Sequence, residues 1–213
     1  MWVVKLGGSL SDSDDLSSWL DALAVLGGGR LVIVPGGGPF ADQVRRSQAR
    51  WGFDEVTAHH MALLAMEQYG WMLAGMRPEL KRASSLAEIR QALSEGRVPV
   101  WLPGQLVGCA QDIPASWDLT SDSLAAWLAN ILAAECLILI KSVQPAESVV
   151  SAAALADCGL VDPLFPAFTA HARYETWLMG KDQHRLMRLA LLTGELRGTE
   201  VATIATRCGV RMQ

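Results

Sequence analysis

Leu31-Val32-Ile33-Val34 is an unbroken apolar run, and it stops at Pro35-Gly36-Gly37-Gly38. A half-buried strand alternates apolar and polar residues, so a run without alternation has to be covered on both faces. A parallel sheet between helical layers meets that requirement. The start of the chain repeats the device, with Val3-Val4-Lys5-Leu6 running into Gly7-Gly8-Ser9. Further strands are predicted over Val98–Leu102, Leu137–Ile140, Tyr174–Leu178 and Val201–Ile204. Between them, apolar residues at helical spacing predict helices over Asp14–Leu26, from near Phe40, and over His59–Met76, Leu86–Leu93, Ser123–Ala133 and Asp182–Leu192. The alternation predicts an α/β fold with a mainly parallel sheet. No repeat or linker divides the 213 residues, so one domain is expected.

Composition narrows the function classes. Hydrophobic residues make up 51% and charged residues 19%, which excludes a disordered chain. With 18 basic and 22 acidic residues the net charge is −4, which argues against a nucleic-acid footprint or a polybasic membrane anchor. The most apolar stretch, Leu124 to Ile140, is interrupted by Asn130 and Glu135 and is too polar for a membrane helix. Trp2-Val3-Val4-Lys5 follows Met1 without a secretory leader pattern. Cys109, Cys136, Cys158 and Cys208 are scattered, with no Cys-x-x-Cys pair. A reduced, cytoplasmic protein is the expectation.

Chemistry concentrates at three places. Lys5-Leu6-Gly7-Gly8-Ser9 sets a cation at a strand end and two glycines after it, where backbone amides can approach an anion. Pro35-Gly36-Gly37-Gly38 repeats the turn, and ligands of open α/β sheets sit at these carboxyl ends. Either turn alone reads first as a tight strand-to-helix connection that binds nothing. Two of them, one preceded by lysine, favour a phosphate-handling site. The third place is Trp117-Asp118-Leu119-Thr120-Ser121-Asp122-Ser123 ahead of an apolar helix. It reads either as ordinary helix capping or as an arm that turns Asp122 toward the strand ends. Trp117 is placed to stack on a flat ring.

In that order the motifs Lys5-x-Gly7-Gly8-Ser9, Pro35-Gly36-Gly37-Gly38, Thr120-Ser121-Asp122-Ser123-Leu124-Ala125-Ala126 and Gly194…Gly198-Thr199 resemble the amino acid kinase superfamily. The resemblance implies a three-layer α/β/α sandwich, with the phosphoryl acceptor on about residues 1–115 and the nucleotide on about 116–213. It also implies ATP and Mg²⁺ as cofactors, a small phosphorylated substrate and a homo-oligomer assembled through helices of the N-terminal half. Pro35 to Ala41, His59 with Ala62 and Met66, Ser116-Trp117, Val161-Asp162 and Phe165-Pro166 are similar to the short archaeal-type kinases of methanofuran biosynthesis. Those enzymes of one-carbon metabolism convert [5-(aminomethyl)furan-3-yl]methyl phosphate to its diphosphate.

Carried over by that resemblance, Lys5 stabilises the transition state, Gly7, Gly8 and Ser9 cradle the transferred phosphate, and Asp122 orients the lysines. Gly36, Gly37 and Gly38, with Thr120 and Ser121, bind the acceptor. His59 and Glu67 lie about two helical turns apart on one face, so Glu67 is a candidate for an ammonium group and His59 for the ring or phosphate. The blander reading makes both ordinary, partly exposed helix positions. In the nucleotide half, Lys141-Ser142-Val143-Gln144-Pro145 departs from the Thr-Asp and Val-x-Gly-Val that such kinases carry. The second catalytic lysine lacks a match: Arg173 is nearest its place, and Lys141 and Lys181 are candidates for nucleotide phosphate. Two other readings stay open, a related kinase with another acceptor and a non-catalytic subunit that binds phosphorylated ligands. Arg45, Arg46, Arg50 and Arg77 lie in no recognisable motif.

Overall fold

The computed structural model describes residues 1–202. In chain order the elements begin with β1 (Trp2–Leu6), a short 3₁₀ helix (Gly8–Asp12), α1 (Asp15–Leu26), β2 (Leu31–Pro35), α2 (Gly38–Trp51) and α3 (Glu55–Met76). Next come β3 (Leu80–Ala83), α4 (Leu86–Ser94), β4 (Val98–Trp101), α5 (Gly104–Gly108) and α6 (Ser121–Ile131). The chain continues through β5 (Cys136–Lys141), β6 (Val149–Ser151), α7 (Ala152–Asp157), α8 (Phe165–Thr169), β7 (Glu175–Gly180), α9 (His184–Thr193) and β8 (Thr199–Ala202).

All eight strands join one sheet in the order β3-β4-β2-β1-β5-β7-β8-β6, and every pairing is parallel except β7 with β8. Successive residues of the central strands feed opposite faces, as the side-chain period of two requires. Val3, Val32, Val34, Leu137 and Leu139 pack with α6 and α8, whereas Val4, Leu6, Ile33, Ile138 and Ile140 pack with α1 and α9. The expected three-layer α/β/α sandwich is therefore present. Lys5 follows the parity of Val3, so its side chain enters the face that α6 covers.

Two strands escape a reading by periodicity. Leu80-Lys81-Arg82-Ala83 is a charged edge strand, with Lys81 Nζ 2.7 Å from Glu95. Edge strands commonly carry such charges, and they erase the apolar signal. Val149–Ser151 is three residues on the other edge. The last predicted strand, Val201–Ile204, begins earlier at Thr199, and its end lies outside the described residues, as does Cys208. Cys109, Cys136 and Cys158 carry no disulfide. Among the described residues no helix is long and apolar enough to cross a membrane.

Candidate functional site

The two glycine turns meet at the carboxyl ends of β1 and β2, and they meet backbone to backbone. A Cβ on Gly8 would sit 2.3 Å from the Gly38 nitrogen, and one on Gly36 2.5 Å from the Gly8 nitrogen. Gly38 also holds φ at +53°, in the left-handed region that favours glycine. Part of the glycine signal is thus steric. The Gly7 amide donates to Ile140 O at 3.1 Å and the Gly36 amide to Leu6 O at 2.9 Å, extending the sheet ladders. These two amides are committed, a correction to the expectation that they contact phosphate.

On the face covered by α6, Lys5 Nζ lies 2.8 Å from Asp122 Oδ1, and Lys141 Nζ donates to Oδ2 at 2.5 Å. Lys5 is 4% and Asp122 3% exposed. Burial pushes the Asp122 carboxyl up, but the Lys5 and Lys141 ammoniums outweigh it and hold its pKa below the ordinary value. Lys141 is pushed down to about 8 by burial and then by the Lys5 ammonium, against the pull of Asp122. One carboxylate therefore aligns two ammoniums that would otherwise repel, at a strand end where a polyphosphate would meet them.

Thr120 stands at the α6 N-cap, but its side chain does not cap the helix. Asp162, in the segment before α8, does this instead. Its Oδ2 accepts from Thr120 N and Oγ1, each at 2.9 Å, and from Ser123 N at 3.0 Å, while Oδ1 accepts from Ser123 Oγ. With the helix start held from outside, Asp122 is released to face the lysines.

Two cavities open here. The larger, about 580 Å³, is lined by Lys5, Gly7, Gly8, Ser9, Thr120, Asp122, Lys141–Val143 and Cys158–Leu160. The other, about 350 Å³, lies between the two glycine turns, α2, α3 and the 117–124 segment, with Gly37, Gly38, His59, Thr120 and Ser121 in its wall. Gly8, Ser9 and Thr120 belong to both, so the cavities abut at the first glycine turn.

Some predicted residues do not arrive. Gly36, Glu67, Arg173 and Lys181 line neither cavity. Glu67 Oε1 accepts from the Gly104 amide at 2.9 Å, so it serves the start of α5. Arg173 is exposed and precedes the amino end of β7, roughly 20 Å from the lysine end of the sheet at 3.3 Å per residue. It cannot replace a second lysine at Asp122; Lys141 occupies that position. Lys181 follows β7 at the correct end but is exposed, and its backbone oxygen accepts from Trp19 Nε1 at 2.6 Å. His59 is half-buried in the cavity wall, and burial, then His60, lowers its pKa.

Arg45, Asp42 and Asp12 join the smaller cavity although no motif contains them. The Arg45 guanidinium lies 4.2 Å from the centre of the Trp117 ring and 3.2 Å from Asp42 Oδ1. Trp117 Nε1 donates to Gln48 Oε1 at 2.6 Å, tying the loop to α2. A signal for these was present: Gly38, Ala41, Asp42 and Arg45 fall at helical spacing on one face of α2.

Comparison with known proteins agrees with this architecture. The sequence model of the amino acid kinase family matches residues 1–145. A curated relative, [5-(aminomethyl)furan-3-yl]methyl phosphate kinase of Methanocaldococcus jannaschii, is 28% identical over 145 residues, 68% of this chain and 67% of that protein. Among solved structures, the uridylate kinase of Archaeoglobus fulgidus superposes with a TM-score of 0.72 at 20% identity, covering 94% of this chain and 99% of that one. The UMP kinase of Ureaplasma parvum gives 0.69 at 16% identity over 95% and 98%. An isopentenyl phosphate kinase gives 0.64 at 19% identity over 95% and 100%.

Proposed function

Because this chain belongs to the amino acid kinase family, we propose that it is an ATP-dependent kinase that phosphorylates a small phosphomonoester. The acceptor we assign is [5-(aminomethyl)furan-3-yl]methyl phosphate, converted to its diphosphate for a methanofuran-type cofactor. The single observation that carries this reading is the pair of abutting cavities, with Lys5, Asp122 and Lys141 lining the larger. The donor polyphosphate occupies the lysine-lined cavity and the acceptor the one beside α2, so the nucleotide lies mainly against residues after about 115. An oxygen of the acceptor phosphate attacks the γ-phosphorus in line; a new P–O bond forms as the bond to the ADP oxygen breaks. That oxygen is already anionic, so no general base is needed, and the chain's task is positioning and charge neutralisation. Lys5 and Lys141 neutralise charge on the phosphoryl group in flight, and Asp122 keeps both aimed.

Among the described residues no cluster of three ligating side chains exists, and both oxygens of Asp122 face ammoniums. Mg²⁺ belongs in this reading to the nucleotide's phosphates. A homo-oligomer is also part of it, since Val56, Leu64 and Trp71 leave an exposed apolar stripe on α3.

Incubating the purified chain with MgATP and the furan phosphate tests the proposal. ADP and a diphosphate phosphorus signal should grow together, and ADP no faster than in the blank would sink it. A related kinase with another acceptor is the second reading, favoured by the 16–20% identity to kinases of other names; an acceptor panel separates the two.

A further inference from the structure

We infer that Asp12 selects acceptors that carry a primary ammonium group on the far side of the ring from the reacting phosphate. This rests on the assignment of the smaller cavity as the acceptor site and deepens it. Two carboxylates line that cavity, Asp12 and Asp42. Asp42 already faces Arg45 at 3.2 Å, and Glu67 is spent on the Gly104 amide outside the cavity. Asp12 makes no ion pair and no side-chain hydrogen bond among the described residues.

Position adds a length. Asp12 ends the 3₁₀ helix whose first residues, Gly8 and Ser9, form the boundary between the two cavities. At about 2 Å of rise per residue, Gly8 and Asp12 are separated by about 8 Å. That is the scale of a five-membered ring bearing a phosphate arm and an aminomethyl arm. Buried Leu10 anchors the short helix between its two ends, so the spacing is held by the core. Leu63, Met66 and Trp117 supply apolar wall for the ring. The cavity therefore offers the carboxylate of an exposed residue that has no ion-pair partner among the described residues, one short helix away from the transfer point. A charged ammonium gains a charge-assisted hydrogen bond there, a neutral hydroxyl gains less, and a carboxylate is repelled.

The test compares equilibrium binding, without nucleotide, of [5-(aminomethyl)furan-3-yl]methyl phosphate and its hydroxymethyl analogue to the full chain. Wild type should bind the amine about tenfold tighter or better, the scale of a hydrogen bond to a charged group. Asp12→Asn should bind the two within about twofold, and Asp12→Glu, which keeps the charge, should retain the preference. A preference that survives in Asp12→Asn overturns the inference. So does a preference lost in Asp42→Asn instead, or no binding of the amine by wild type. Turnover separates the two claims: Asp12-dependent binding of the amine with no diphosphate formed upholds this inference and overturns the kinase assignment.

Discussion

The two cavities are built on opposite principles. The proposed donor side holds one buried and one part-buried ammonium on one carboxylate and offers little else that is charged. The proposed acceptor side mixes Arg45, His59, Asp12 and Asp42 with apolar side chains from α3 and the 117–124 segment. A polyphosphate needs only positive charge in the right place, whereas a small ring with unlike substituents needs charges of both signs at set distances. In the proposed reading the lysine-lined cavity is therefore generic chemistry, and the smaller cavity is where this chain can differ from its relatives.

Lys5→Ala strikes the donor side hardest. Steady-state kinetics should show kcat lower by about 10²–10³-fold, the cost of removing one group that stabilises developing charge. An unchanged kcat would end the contrast between the cavities. Lys141 gives the next effect and a pH signature. With its pKa near 8 it is protonated below that value and loses its charge as pH rises through it. The kcat/KM for the nucleotide should therefore fall above pH 8. In Lys141→Arg, whose guanidinium stays protonated, the fall should vanish from the profile.

Trp117→Ala sharpens the acceptor side. Losing the ring under Arg45 should raise the acceptor KM about 3–30-fold with kcat little changed, the range expected for a cation–π seat. A fall in kcat instead would move Trp117 into the transfer step. Arg173→Ala is the smallest: exposed at the wrong end of the sheet, it should alter kcat/KM by no more than about twofold, as surface substitutions do. A large loss would reopen the place of the second catalytic cation.

Most of the sandwich was legible in the sequence, because buried parallel strands advertise themselves. Leu31–Val34 and Leu137–Ile140 have no polar alternation, and each central helix repeats apolar residues at its own period. What was illegible follows from short or charged elements: β3 hides behind Lys81 and Arg82, and β6 has three residues. At the site, the pairing of Lys5 with Asp122 was legible, whereas Lys141 was named only for nucleotide phosphate and not as the second partner of Asp122. Glu67 and Arg173 were placed by helix face and chain order, and neither quantity reports where a side chain ends in space. Glu67 meets an amide from α5, and Arg173 falls at the opposite end of β7.

By itself, then, the sequence determined that this chain makes a covered parallel sheet with glycine turns at the carboxyl ends of two strands. Periodicity and turn chemistry are local, and they survive being read one window at a time. Only the tertiary structure decided that Lys141 joins Lys5 on Asp122, that Asp162 holds the start of α6, and that Arg45 and Asp12 enter the smaller cavity beside α2. Each of those contacts joins separate elements, or turns on which way a side chain points. It depends on strand register, with Lys5 beside Leu139 and Leu6 beside Ile140, and on how α6 and α2 lie over the strand ends.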